Sequence, residues 1–244
     1  MGRLKIVDGV QLHADLTAVA NAIRTKGETT EYLNFPDDFC SAIAGIELAD
    51  PLRMKALDLY MTNQLEEYTS DVEGVMIAYA FRNCDRLRSI TLTRVTIAGN
   101  YSFQNCTKLE SINFPMIKEI STGGFSSCAN LKNVYTPKIL KIAASGFASC
   151  SALAYLDAYG SAEIASKAFS NCISLQALVL RCETVAQLAA TDAFSGTPIA
   201  KGTGYIYVPR ALLEGYQAAE NWSNFAAQFR AIEDYPDIVG GGTA

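Results

Sequence analysis

Apolar side chains recur along most of the chain with a period far longer than that of a helix or a strand. Phenylalanine returns every 22 residues, a cysteine lies three positions after each one, and a leucine lies three positions after each cysteine. The phenylalanines are Phe81, Phe103, Phe125, Phe147 and Phe169, and the cysteines are Cys84, Cys106, Cys128, Cys150 and Cys172. A unit this short cannot bury its own apolar side, so the pattern predicts units stacked into a solenoid with these residues as its inner ladder.

The positions after each cysteine predict one strand per unit. Ile90 and Leu92 alternate with polar residues, which is the period of two expected for a strand. We therefore expect strands at Leu87–Leu92 and Leu109–Phe114, and at the equivalent positions of the later units. The residue before each cysteine is Asn or Ser, which suits a turn that hydrogen-bonds the backbone. The second half of the unit is more variable, and no element is predicted there.

The unit small-Phe-x-[Asn/Ser]-Cys-x-x-Leu-x-x-[Ile/Leu/Val] resembles the BspA-like class of bacterial leucine-rich repeats. The resemblance covers residues 65–200 and implies an α+β repeat solenoid built from 22-residue leucine-rich repeats. Two units depart from it, because Thr136 and Ala158 take the place of a large apolar residue at the end of the strand. We expect a weaker core at these two units. A sixth, partial copy begins at Phe194 and lacks the cysteine and the leucine.

The repeats are flanked by segments of a different pattern. Residues 1–48 predict a helical N-terminal module of two short helices, and residues 49–64 a connector or first cap. The N-terminal module resembles one found on proteins of phages and prophages of Gram-positive hosts, which implies attachment to other virion proteins. Residues 236–244 have the composition of a flexible tail.

Residues 201–235 resemble the C-terminal closing segment of such repeats. The sequence predicts a strand at Tyr205–Val208 that ends at Pro209, followed by an amphipathic helix. This segment would cover the last unit of the solenoid, whose open end would otherwise expose apolar side chains and a strand edge. The apolar side of the helix would carry Leu212, Leu213, Tyr216, Trp222 and Phe225.

Composition narrows the classes of function. The formal net charge of −5 over 244 residues argues against nonspecific binding to nucleic acid, which needs clustered Lys and Arg. His13 is the single histidine, so mechanisms and zinc sites that need two imidazoles are excluded. No apolar stretch is long enough to suggest a membrane span. We expect no catalytic residue, no cofactor, no metal, no nucleic acid and no membrane association.

The cysteine ladder allows more than one interpretation. Stacked strands would bring consecutive cysteines within about 5 Å, which is inside the Cα range of a disulfide. Parallel Cβ directions in a ladder do not point at each other, and a total of seven cysteines leaves one unpaired. We therefore expect buried, reduced thiols that pack as small apolar groups, which suits folding in a reducing compartment.

The outward positions of the predicted strands bring several aromatic residues together. If the register follows the period of 22, Tyr135, Tyr155, Asp157 and Tyr159 lie on one face. Tyrosine gives rigid amphipathic contact area and is enriched at interfaces, so these residues form a candidate binding face for a protein or a glycan. The alternative is an ordinary solvated sheet with cross-strand tyrosine packing.

Two functions follow from these observations. The first is a non-enzymatic structural or adhesive component of a bacteriophage or prophage particle, tail- or virion-associated and assembled in the bacterial cytoplasm. The alternative is a leucine-rich repeat adhesin or host-interaction protein of the bacterial cell surface. The partner would be a host surface protein or a glycan in either case. A homo-oligomer stays open, since symmetric assembly is common among proteins. The sequence has no coiled-coil heptads, so any trimer would form through the N-terminal helices or the sides of the solenoid.

Overall fold

The computed structural model describes residues 65–76, 78–160 and 163–239. The predicted N-terminal module, the connector up to residue 64, His13 and Cys40 lie outside the described residues. The strands are β1 (Glu67–Val75), β2 (Ser89–Ala98), β3 (Ser111–Asn113), β4 (Glu119–Ile120), β5 (Asn133–Thr136), β6 (Lys141–Ile142), β7 (Tyr155–Ala158), β8 (Glu163–Ile164), β9 (Ala177–Leu180), β10 (Gln187–Leu188), β11 (Tyr205–Val208) and β12 (Phe229–Ala231). The helices are α1 (Leu213–Ala218), α2 (Pro236–Val239) and four 3-10 helices at Thr191–Phe194, Arg210–Leu212, Trp222–Gln228 and Ile232–Asp234.

The strands form two parallel sheets within the described ranges. One sheet has the order β1-β2-β4-β6-β8-β10, with β3 also paired to β2, and the other has the order β12-β11-β9-β7-β5. The repeat period sets the register, since Val134 is opposite Leu156 and Leu156 is opposite Leu178. Within each sheet the strands are parallel, and neighbouring strands of the repeats are one repeat apart in sequence. This arrangement confirms the leucine-rich repeat fold expected from the sequence.

The second sheet was not predicted. The strand predicted at Leu87–Leu92 continues to Ala98, and the variable half of the later repeats forms the two-residue strands β4, β6 and β8. Ile120, Ile142 and Ile164 are opposite one another in these strands and are buried. A strand of two residues is too short to show an alternating pattern, so only the recurrence of isoleucine marks this sheet in the sequence.

A continuous stack of phenylalanine rings runs through the interior between the sheets. The rings of Phe81, Phe103, Phe125, Phe147, Phe169 and Phe194 follow one another with centroids 4.8–5.7 Å apart and planes within 10° of parallel. All six side chains are buried. Each ring therefore closes the apolar surface of the repeat before it, as a solenoid core requires.

The cysteines lie beside this stack as free thiols. The Sγ atoms of Cys106, Cys128, Cys150 and Cys172 each donate to the carbonyl oxygen of the phenylalanine one repeat earlier, at 2.9–3.1 Å. The same carbonyl oxygens accept the backbone N–H of the cysteine in their own repeat. Burial raises the pKa of the Cys84 thiol to about 12. The Cys84 thiol is therefore neutral at physiological pH, and the four thiols from Cys106 to Cys172 donate to carbonyl groups in the buried interior.

The turn that carries each phenylalanine contains two residues in the left-handed conformation. The residue before the cysteine has φ near 60° in all five full repeats, at Asn83, Asn105, Ser127, Ser149 and Asn171. Asn tolerates this conformation better than most residues, which explains its recurrence there. The other left-handed position lies two residues before the phenylalanine, where the sequence varies between Tyr79, Tyr101, Gly123, Ser145 and Lys167. A side chain at Gly123 would meet the Tyr101 ring at 2.5 Å, so in this repeat the space available favours glycine.

Polar or small residues replace a large apolar residue at two core positions without leaving an unsatisfied group. Thr136 is buried, and its hydroxyl donates to the carbonyl oxygen of Asp157 at 3.2 Å. Ala158 is also fully buried beside it in the next strand. In the sixth repeat, Thr197 replaces the cysteine and donates to the carbonyl oxygen of Phe194 at 2.7 Å.

The C-terminal segment covers the last repeat, but with several short elements where the sequence predicts one helix. Trp222 and Phe225 pack against Phe194, with ring centroids 5.9 and 5.2 Å away. The indole N–H of Trp222 donates to the carbonyl oxygen of Ala186 at 2.7 Å, while Ala186 donates its N–H to the Tyr216 hydroxyl. Leu212 and Leu213 are only half-buried, because the chain changes direction between the short helices.

Two further details of this segment differ from the expectation. Strand β12 adds to the sheet after Gln228 and is parallel to β11. Pro236–Val239 forms the short helix α2, where the composition predicts a flexible tail. Proline at the first position of a helix is favoured because its missing N–H would have no partner there.

The phenylalanine stack gives a direct test of the fold. We expect Phe125→Ala to lower the free energy of unfolding by about 3–5 kcal/mol, because it removes a fully buried ring that touches the rings on both sides. Urea denaturation followed by circular dichroism measures the change. The control is Ile173→Ala, an apolar residue that is 58% exposed, which should change stability by less than about 0.5 kcal/mol. Equal midpoints for both variants would show that the ring stack is not the core.

Candidate binding face of the five-stranded sheet

One face of the five-stranded sheet packs on the interior, and the other faces outward. All four residues of the predicted binding face lie on the outward face or just beyond the end of a strand. Tyr135 is opposite Asp157 and Asn133 is opposite Tyr155, so the strands keep the register that the period predicts. Tyr159 follows β7 directly. Arg181 follows β9 at the equivalent position of the next repeat. We call Tyr135, Tyr155, Asp157, Tyr159 and Arg181 the tyrosine cluster.

A buried ion pair fixes the centre of the tyrosine cluster. The carboxylate of Asp157 accepts hydrogen bonds from Nε of Arg181 at 3.0 and 3.1 Å and from its Nη2 at 3.0 Å. It also accepts a hydrogen bond from the hydroxyl group of Tyr155, with 3.1 Å between the oxygen atoms. The sequence predicts Asp157 as part of an exposed face, but the residue is only 1% exposed. Its carboxylate therefore holds neighbouring side chains in place and does not reach a ligand.

The charges of the ion pair change the ionisation of their neighbours. Burial and the negative charge of Asp157 raise the pKa of Tyr155. Burial lowers the pKa of Arg181, but the hydrogen bonds and charge of Asp157 outweigh it, so that pKa is raised. At physiological pH the arginine is charged, the tyrosine is neutral, and the pair has no net charge.

Two tyrosine rings of the cluster are exposed. Tyr135 is 42% and Tyr159 is 38% exposed, and their rings meet edge to face with centroids 5.9 Å apart. The guanidinium of Arg181 lies over the ring of Tyr159, 5.0 Å from its centroid. Such contacts hold large aromatic side chains in one orientation. The cluster therefore presents rings that have little conformational freedom left to lose on binding.

The half of the outer face nearer the C-terminus is covered by the chain itself. Ala177, Val179 and Tyr207 point outward from β9 and β11, yet they are buried. Ile232 and Tyr235 pack over them, together with Tyr155 and Tyr205. Outward strand positions are therefore not all exposed, contrary to the expectation from alternation. Ile232 and Tyr235 come from a segment more than 50 positions after Val179, and the repeat pattern does not reveal this contact.

The half of the outer face on the other side of Tyr135 is polar. Ser111, Asn113 and Asn133 are exposed. Asn133 lies on β5, and the other two lie on β3, which pairs with β2 in the other sheet and also contacts β5. Tyr135 therefore lies between a surface that the chain itself covers on one side and short uncharged side chains on the other.

Other sites considered from the sequence have no counterpart at this face. The predicted ladder cysteines lie in the interior beside the phenylalanine rings, away from solvent. In residues 65–76, 78–160 and 163–239, no group of His, Cys, Asp and Glu is arranged to hold a metal ion. No helix of these ranges has the length and apolar character needed to cross a membrane.

The repeat matches a known protein family. Residues 76–200 match the model of the BspA type leucine rich repeat region in six copies, including the partial copy at Phe194. The match covers just over half of the 244 residues. The chain belongs to the BspA-type leucine-rich repeat family. No curated protein sequence matches the chain.

Several solved structures of bacterial leucine-rich repeat proteins are similar to this one. The leucine rich repeat protein TpLRR of T. pallidum is 20% identical, with a TM-score of 0.41 over 55% of this chain and 77% of that one. A leucine rich cell surface protein of Faecalibacterium prausnitzii is 20% identical, with a TM-score of 0.38 over 64% of this chain and 38% of that one. The pneumococcal vaccine antigen PcpA is 15% identical, with a TM-score of 0.46 over 68% of this chain and 40% of that one. The chain spans less than half the length of the last two proteins.

Arg181 is the member of the cluster that sequence reasoning did not select. It lies in the outward column that also contains Tyr159, but a single charge in a column gives no indication of a partner. Asp157 could have indicated this partner, because it is the one charged residue at its outward position in the repeats. The equivalent residues are Thr91, Asn113, Tyr135 and Val179. An acidic residue next to an arginine in the neighbouring repeat suggests an ion pair across two strands.

The ion pair can be tested by removing one charge. We expect Asp157→Asn to lower the free energy of unfolding by about 2–4 kcal/mol, because it removes the buried negative charge that pairs with the largely buried side chain of Arg181. The control is Glu110→Gln, which breaks the exposed pair with Arg88 and should cost less than about 1 kcal/mol. Urea denaturation measures both.

A second variant separates the ion pair from other effects of the substitution. Asp157→Asn combined with Arg181→Leu should recover part of the lost stability, since no uncompensated charge then remains. If Asp157→Asn is as mild as Glu110→Gln, the pair does not hold the cluster together.

Proposed function

We propose that the chain is a non-enzymatic binding protein whose repeat solenoid presents the tyrosine cluster to a partner outside the chain. The observation that carries this proposal is the pair of exposed rings, Tyr135 and Tyr159, held in place by the buried Asp157–Arg181 ion pair. Binding energy at interfaces concentrates in aromatic and arginine side chains that are already ordered. An ordinary solvated sheet does not need a buried ion pair beneath its surface residues.

A binding role fits the cluster better than a catalytic one. The ionisable groups of the cluster are used within it, since Asp157 is bonded to Arg181 and Tyr155 and is shielded from solvent. A general acid or base must reach the reacting group of a substrate, and this carboxylate does not. The thiols of Cys106, Cys128, Cys150 and Cys172 are also bonded to backbone carbonyls and are buried, away from any substrate.

We propose the bacterial cell surface as the location. Membership of the BspA-type family supports this alternative, and the name of the similar protein from Faecalibacterium prausnitzii, a leucine rich cell surface protein, agrees with it. The virion hypothesis rests on the resemblance of residues 1–48, which lie outside the described residues. None of the comparisons supports a phage association, so the cell-surface alternative is the better supported of the two.

Cell binding tests the proposed role of the cluster. Purified chain with a fluorescent label should bind to cultured epithelial cells or to neighbouring bacteria. We expect the double variant Tyr135→Ala/Tyr159→Ala to bind at least about tenfold more weakly, because both exposed rings are lost. The matched control is Tyr79→Ala, a tyrosine that is 50% exposed on a turn outside the five-stranded sheet. Equal loss in both variants, with unchanged melting temperatures, would contradict the proposal.

Localisation is tested independently of the ligand. An antibody against the repeats should label intact cells of the organism that encodes the chain, and protease treatment of these cells should remove the signal. We expect mass spectrometry to find the chain in the cell-wall fraction and not in particles released after prophage induction. Label at a defined place on released particles would overturn the cell-surface proposal and support the virion hypothesis.

A further inference from the structure

We propose that the ligand of the tyrosine cluster is a neutral carbohydrate, with one sugar ring stacked on Tyr135 and its hydroxyl groups bound by the amides of Asn113 and Asn133. This inference rests on the proposed function and names the chemical class of its ligand. It is carried by four features of this surface: the environment of Tyr135, the polar residues beside it, the balance of charge, and the extent of the exposed surface.

Tyr135 offers the ring best suited to stacking. Arg181 already lies over the ring of Tyr159, whereas within the described ranges no cation lies over the ring of Tyr135 and its one ring contact is with Tyr159. The contact between the two tyrosines is edge to face, and Tyr135 is the more exposed of the pair. The C–H groups on one side of a pyranose ring carry partial positive charge, which suits the negative face of an aromatic ring.

Side-chain amides lie where the hydroxyl groups of a stacked sugar would extend. Asn133 precedes Tyr135 by two residues on β5, so both side chains leave the same face of the strand about 7 Å apart. Asn113 holds the position equivalent to Tyr135 in the preceding repeat. Both are exposed, and neither side chain has a hydrogen bond to another described residue. An amide group both donates and accepts, which matches the hydroxyl groups of a sugar.

The charge of the face favours a ligand without formal charge. Arg181 is neutralised by Asp157 at 3.0 Å, and the polar residues on β3 and β5 are uncharged. Lys132 and Lys138 lie just outside the ends of β5. These two lysines would attract an acidic sugar, so sialylated and sulfated glycans belong in the test.

The size of the exposed surface favours a sugar over a folded protein. Ile232 and Tyr235 cover the outer face beyond Tyr155, which leaves two exposed rings beside a shallow polar surface. A stable protein interface usually buries about 800 Å² on each partner around an apolar centre. One or two sugar residues need only a ring to stack on and a few hydrogen-bonding groups, which this face supplies.

The experiment uses the full chain and a panel of immobilised neutral oligosaccharides of glucose, galactose, mannose and N-acetylhexosamines, with sialylated and sulfated counterparts. We expect the chain to bind at least one neutral oligosaccharide. Tyr135→Ala should weaken that binding at least about tenfold, and Asn133→Ala about threefold or more. Tyr135→Phe keeps the ring and should bind within about twofold of the parent. Tyr79→Ala, the matched exposed tyrosine on a turn, should bind like the parent.

Each other outcome has a defined meaning when melting temperatures are unchanged. Binding to charged glycans alone, or neutral-glycan binding that Tyr135→Ala leaves intact, overturns this inference. Binding to cells that depends on Tyr135, combined with no binding to the panel, also overturns it, while the proposed binding function survives with a protein as partner. Absence of binding to both the cells and the panel contradicts the inference and the proposed function together.

Discussion

The stacking of one phenylalanine ring on the next is the contact on which the rest of the fold depends. Each interior ring is nearly parallel to the rings of both neighbouring repeats, and the centroid separations of 4.8 and 5.5 Å are close to the spacing of parallel strands. The cysteine thiol spans the same step when it donates to the phenylalanine carbonyl of the previous repeat. The left-handed turn residues in turn orient backbone N–H groups toward carbonyls of the following repeat, as Asn105 does toward Ser126.

The regular interior leaves the outer positions free to vary, and the tyrosine cluster uses this freedom. Its ion pair spans two repeats, from Asp157 to Arg181, and the pair of exposed rings spans two as well. A surface built in this way inherits its geometry from the repeat spacing. Its rigidity has two sources, the hydrogen-bonded strands and the buried carboxylate, and both are in place before a partner arrives.

Much of the interior could be predicted from the sequence because it repeats. The period of 22 placed the phenylalanines and cysteines side by side and set the register of Tyr135 opposite Asp157. The second sheet was missed because the strands that continue it through the later repeats, β4, β6, β8 and β10, have two residues each, too few for a pattern. The burial of Asp157 and Val179 was missed for a different reason, since Val179 is covered by a segment outside the repeats and Asp157 is enclosed by its ion pair. Periodicity describes contacts between equivalent positions and contains nothing about contacts with unique segments.

The cysteine ladder also has a consequence for how such a chain changes over generations. From Cys106 to Cys172, each thiol bonds the preceding repeat in the same way, and the C-terminal segment closes only on the last repeats. A middle unit therefore makes the same phenylalanine and thiol contacts as its neighbours, so the gain or loss of one unit would leave the ring stack closed. Each such event would change the length of the stack by one strand spacing, about 4.8 Å, and would move the outward columns by one place. The outward surface can therefore change by one repeat at a time while the interior contacts stay the same.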